Sequence, residues 1–143
     1  MSKIFSAKRI VRFGECDPAG VVYYPVFFNW FHETMERWFE EALSVSYAEI
    51  IRDFGFPAAE TSARFHRPIA VGEEVDIQLS VERLGSSSLR LYFSVHSQGI
   101  QKAEGMVQTV CIAVQEGGFR FSSAKLPADL RLRMQEFLIS TES

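Results

Sequence analysis

The stretch Phe13-Gly14-Glu15-Cys16-Asp17-Pro18-Ala19-Gly20, continued by Val21-Val22-Tyr23-Tyr24-Pro25, leads from a strand-like segment into the longest helical pattern of the chain. Proline fixes its own φ and glycine permits positive φ, so Gly14, Pro18 and Gly20 shape a loop that ordinary residues would resist. From Tyr24 to about Ala42, the residues Phe27, Phe28, Phe31, Met35, Trp38, Phe39 and Ala42 recur at three- and four-residue steps. Asn29, Glu33, Glu36, Arg37 and Glu40 fall on the other side, so one helix face is heavily apolar. A face that aromatic has to be wrapped, most simply by a curved sheet.

The remaining chain supplies that sheet. Ile4–Phe13 is β-branched and aromatic and ends at Gly14, which suits a first strand. Ser46–Phe54 carries Tyr47, Ile50 and Ile51 at helical spacing and stops at Gly55 and Pro57, which predicts a short second helix. Thr61–Val71 reads as an irregular strand, placed by Pro68 at an edge or a bulge. In Glu74–Leu84, Val75, Ile77, Leu79 and Val81 alternate with Asp76, Gln78, Ser80 and Glu82. The turn Gly85-Ser86-Ser87-Ser88 returns the chain into Leu89, Leu91, Phe93 and Val95, a hairpin.

Gly99 turns it again into Gln101–Val114, where Ala103, Gly105, Val107, Thr109, Cys111 and Ala113 form a face of small side chains that lets an aromatic helix lie close. After Gly117-Gly118 a short strand, Phe119–Ser122, precedes Pro127 and a terminal amphipathic helix reaching Leu138. The order predicts an α+β fold with an antiparallel sheet, one domain over residues 1–143.

A net charge of −3 and no basic block exclude a nucleic-acid binder. No apolar run nears the ~20 residues of a membrane span, and the first residues lack a secretory pattern, so cytoplasm is the expected location. Two cysteines, Cys16 and Cys111, make no disulfide framework, and no histidine stands at metal-ligand spacing, so neither a metal nor another cofactor is expected.

The chemistry collects at the loop. Pro25 suits a first helical turn, which leaves amides near Tyr24, Val26 and Phe27 as free helix-end donors. Such donors hold an oxygen that gains negative charge, and a carboxylate a few residues earlier, Asp17, completes a minimal site for attack on a carbonyl. The alternative reading is that Asp17 only caps a turn. Cys16 as a nucleophile lacks a histidine that the sequence ties to it. His66 and His96 lie on predicted strands, where a structural role is expected.

The run Phe13 to Pro25 closely resembles the loop-to-helix signature of the 4-hydroxybenzoyl-CoA thioesterase family of hotdog-fold enzymes. The resemblance implies a hotdog fold, Asp17 as the catalytic carboxylate and the Tyr24 backbone amide as the group that polarises a thioester carbonyl. It implies a CoA thioester as substrate, with Gly20, His32, Ser87 and Arg90 as the candidate substrate-binding residues. Well-known members carry an aspartate where this chain has His32, which points to a different acyl group; the alternative reading is a partly exposed helix histidine paired with Glu36. They also carry a basic triplet where this chain has Gly85-Ser86-Ser87, so Arg64, Arg83 or Arg90 would have to supply charge for the CoA phosphates. An acyl carrier protein in place of CoA is the alternative, as is a non-catalytic acyl-binding module. A homo-oligomer is expected, a tetramer built from dimers, with Tyr92, Val110 and Ile112 as apolar side chains on faces the helix does not cover, and with active sites between subunits.

Overall fold

The alternating segments form the centre of the structure, with the aromatic helix laid across them. In a computed structural model of the protein, residues 2–115 and 118–139 are described. The strands are β1 (Phe5–Ile10), β2 (Phe54–Gly55), β3 (Ala58–Phe65), β4 (Glu74–Leu84), β5 (Ser88–Ser97), β6 (Ile100–Val110), β7 (Ile112–Gln115) and β8 (Gly118–Ser123). The helices are α1 (Val26–Glu41), α2 (Tyr47–Ile50) and α3 (Ala128–Gln135). Five strands make one antiparallel sheet in the order β1-β4-β5-β6-β3, and β2, β7 and β8 make a second, smaller one.

α1 is the spine of the core. Its buried residues are Phe27, Trp30, Phe31, Thr34, Met35, Trp38 and Phe39, and the inward face of the sheet answers with Val75, Ile77, Leu79, Val81, Leu91, Phe93 and Val95. Phe31 stacks on Phe93 with ring centroids 4.6 Å apart. The ring reaches that depth because Gly105 lies beside Phe93 in the β5–β6 register; a Cβ at Gly105 would overlap Phe31. The face of small side chains expected from the sequence therefore admits the helix.

Some boundaries differ, each for a tertiary reason. Gln101–Val114 is not one strand: the Cys111 N–H donates to the Ser87 carbonyl at 2.7 Å, which ends β6 and starts β7 in the other sheet. The second helix keeps only Tyr47–Ile50, since Phe54 and Gly55 pair with Ala113 and Ile112. β3 starts at Ala58 and stops at Phe65, before Pro68, and it is an edge strand as that proline suggested. Gly117 lies outside the described residues. Ile112, expected on an uncovered face, is buried, and Tyr92 and Val110 are half-buried. The Tyr92 hydroxyl donates to the Glu104 carboxylate at 3.1 Å.

Candidate active site

The loop before α1 is held by a chain of local bonds and one ionic knot. Phe13–Glu15 is a turn of 3-10 helix, and the Glu15 carboxylate accepts the Arg12 N–H at 2.9 Å and the Trp30 indole N–H at 2.7 Å. Arg9 pairs with Glu15, reaches Glu33 at 2.6 Å, and sets its guanidinium 5.1 Å from the centre of the Trp30 ring. A charged group this enclosed needs partners, and Glu15 has three. Glu15 thereby ties the loop to α1, a role the sequence reading did not give it.

Asp17 sits at the tip of that loop. Its N–H donates to the Val21 carbonyl and its own carbonyl accepts the Gly20 N–H, each at 2.9 Å. Gly20 has φ +81, the left-handed region that glycine enters without strain. Oδ1 of Asp17 accepts the Ala19 N–H at 2.9 Å, which leaves Oδ2 without a partner among the described residues. Asp17 is half-buried and is not part of the lining of the two cavities along α1 described below.

At the start of α1 the donors are fewer than expected. The Val26, Phe27 and Phe28 amides donate to the carbonyls of Tyr23, Tyr24 and Pro25 at 2.9, 3.2 and 3.1 Å. Val26 and Phe27 are thus not free helix-end donors; the first turn is tight enough to consume them. The Tyr24 N–H alone in this turn meets no acceptor among the described residues.

From Tyr24 a seam runs between α1 and the edge strand β3. Phe65, at the end of β3, touches Tyr24 and Phe27 with centroids 6.4 and 5.1 Å apart, and a cavity of about 310 Å³ opens there between Tyr24, Phe27, Phe65, His66 and Arg67. Further along, a second cavity of about 340 Å³ is lined by Phe28, Phe31, His32 and Met35 of α1 and by Ala58 and Thr61 of β3. His32 lies at this cavity with its Nε2 2.9 Å from the Glu36 carboxylate and its ring edge-on to Tyr47 at 5.9 Å. Asp17, Gly20 and Tyr24 therefore share one loop at one end of the seam, with His32 at the other.

Ser87 and Arg90 are placed elsewhere within one chain. Arg90 pairs in register with Gln108 on β6, whereas Phe65 pairs with Ala103, and that spacing corresponds to about 17 Å along a strand. Its guanidinium is bound to Gln108 at 2.9 Å and to Glu60 at 3.2 Å. The hairpin turn is gripped by donors from the C-terminal region: Leu126 N–H binds the Ser86 carbonyl and Arg131 binds that of Gly85. His66 lies 2.6 Å from the Glu104 carboxylate, and its hydrogen bond holds that carboxyl below the usual range; His96 meets the Ser94 hydroxyl at 2.6 Å. The Cys16 thiol faces the Arg12 carbonyl, and burial, with the charges of Glu15 and Asp17, pushes it up, away from the reactive thiolate. No metal-binding cluster occurs among the described residues. No described helix is long and apolar enough to cross a membrane.

A sheet wrapped around one aromatic helix, with a shaped loop at the helix start, defines the hotdog class. The chain belongs to the thioesterase-like superfamily, which matches residues 11–136. It is 32% identical over 114 residues to a 1,4-dihydroxy-2-naphthoyl-CoA hydrolase of Prochlorococcus marinus, covering 73% of each chain. Its fold superposes on a gentisyl-coenzyme A thioesterase with a TM-score of 0.79 at 27% identity, covering 92% of this chain and 99% of that one. A 1,4-dihydroxy-2-naphthoyl-CoA thioesterase from Synechocystis superposes with a TM-score of 0.81 at 25% identity, over 93% and 96% of the two chains. The expected class, a thioester hydrolase of hotdog fold, stands.

Proposed function

We propose that this protein hydrolyses an aryl- or short-chain acyl-CoA thioester to the free acid and CoA, with a hydroxylated aromatic acyl group as the preferred substrate. The observation that carries this is the unpartnered Tyr24 N–H at the mouth of an apolar seam, in the same loop as Asp17. In this reading the thioester carbonyl accepts that N–H, and the positive end of α1 stabilises the oxygen as it becomes anionic. Asp17 either attacks the carbonyl carbon, giving a mixed anhydride that water opens, or takes a proton from the attacking water. CoA thiolate leaves and is protonated in both routes. The finer resemblance, to the 4-hydroxybenzoyl-CoA thioesterases, rests on the run Phe13 to Pro25.

The acyl group is assigned to the cavity beside His32. Relatives named for a dihydroxynaphthoyl and a gentisyl thioester favour a ring that carries hydroxyls. The His32–Glu36 pair supplies a polar partner for such a hydroxyl on a mostly apolar wall that also carries Thr61 and Thr109. A panel of acyl-, aryl- and hydroxyaryl-CoA thioesters, with thiol release as readout, tests the whole reading: fastest turnover is expected with hydroxyaryl thioesters, and no turnover of any member overturns it. His32→Ala should lower kcat/KM by about tenfold or more for hydroxyaryl substrates and little for benzoyl or aliphatic ones. An equal loss across the three classes removes His32 as a reader of the acyl group.

A second copy of the chain completes the seam in this proposal. β3 is an open edge, and Phe13, Tyr23, Tyr24 and Phe65 are 80, 52, 59 and 48% exposed around the loop. Large apolar side chains gathered at an unpaired edge mark an interface. A homo-oligomer, a tetramer built from dimers, is the assembly proposed, with Ser87 and Arg90 available to a CoA bound between subunits. Sedimentation at assay concentration should find no monomer; a stable, active monomer contradicts the assembly.

A further inference from the structure

Two apolar cavities, of about 340 and about 360 Å³, meet at a common wall formed by Phe56 and Pro57. The first is the cavity beside His32. The second lies beyond it, between Tyr47, Ile51, Phe54, Gly55 and Ile112, and among the described residues no charged side chain lines it. Phe56 is 8% exposed, with its ring 5.3 Å from Phe39 and 6.3 Å from Tyr47 between centroids. Aromatic packing holds it in place, since a phenyl ring makes no directional bond of its own.

We propose that Phe56 is the length stop of the acyl site, the partition that confines bound acyl groups to the first cavity and keeps linear hydrocarbon out of the second. This rests on the assignment of the first cavity to the acyl group. A ring-sized acyl group fits within the first cavity and ends against Phe56. A long linear chain entering from Tyr24 has nowhere to put its distal carbons, so they stay in water or the chain does not seat. The lining of the second cavity, Ile51, Phe54 and Ile112, suits the end of such a chain, and continuity through the Phe56 position gives it access.

The test uses the full-length protein and a ladder of saturated linear acyl-CoA thioesters, with a hydroxyaryl thioester as reference. Phe56→Ala should extend turnover to longer chains, each methylene beyond the wild-type limit raising kcat/KM about fourfold, while the hydroxyaryl reference, which ends against Phe56, loses that contact and gains nothing. Phe56→Leu, which keeps most of the packing, should shift the limit part of the way and covers the case in which Phe56→Ala folds poorly. Adding Ile51→Trp to either variant refills the second cavity from its rim and should restore the wild-type limit. A ladder unchanged in both Phe56 variants overturns the proposal, as does a shift that survives Ile51→Trp. Hydrolysis of no thioester by the wild type overturns the thioesterase reading itself, a different result from an active enzyme with an unshifted ladder.

Discussion

Asp17→Asn should fold as the wild type does and lose about 10²–10⁴ in kcat. The Asp17 side chain has two jobs that the substitution separates. Its Oδ1 accepts the Ala19 N–H at 2.9 Å and so closes the turn through Pro18. Asparagine carries an oxygen of the same geometry and is an equally good turn former, so this bond survives. What disappears is the negative charge, and with it the ability to attack a carbonyl or to take a proton from water. A carboxylate that served only the turn would give an active Asp17→Asn enzyme with nearly unchanged stability. Full activity in the variant therefore removes Asp17 from the chemistry. A single turnover in 18O water tests the nucleophilic route: label incorporated into Asp17 identifies it as the nucleophile, because only water attacking the Asp17 carbonyl of a mixed anhydride places the label there.

The loop was legible because its signals are local. Gly20 at positive φ, the turn through Pro18 and the approach to α1 lie within a dozen residues, and each residue type there has a strong backbone preference. The apolar face of α1 was legible for the same reason, since helical period shows in a short window. Trp30 was not read as part of that face, although it lies three residues after Phe27 and four before Thr34. Its burial is completed by Glu15 and Arg9, partners brought from the loop and from β1, and no local pattern announces them. The break at Cys111 was hidden because alternation continues across it; only the bond to the Ser87 carbonyl marks the point where the chain changes sheets. Ser87 and Arg90 could be placed along the sequence but not in space. Their distance from Tyr24 follows from strand register, which is a property of the whole sheet.

Gly105→Val should destabilise the protein by about 3 kcal/mol, seen as a fall in Tm of roughly 10 °C. Gly105 is in an ordinary extended conformation in the interior of β6, so valine is permitted by the backbone and favoured by strand propensity. On local grounds the substitution would stabilise. Packing decides otherwise. Gly105 pairs with Phe93 on one side and Ala63 on the other, and the Phe31 ring lies where a Cβ would stand, with the Ser62 carbonyl oxygen only 3.0 Å from that position. Phe31 cannot move aside without leaving its stack on Phe93 and lifting α1 from the sheet. Phe31→Leu removes ring atoms from the contested space and by itself leaves a cavity, so it also destabilises. The pair should nevertheless be more stable than Gly105→Val alone, a coupling of about 1–2 kcal/mol of the kind two groups in contact produce. If the two losses simply add, the close approach of Phe31 to Gly105 is not what sets the distance between helix and sheet.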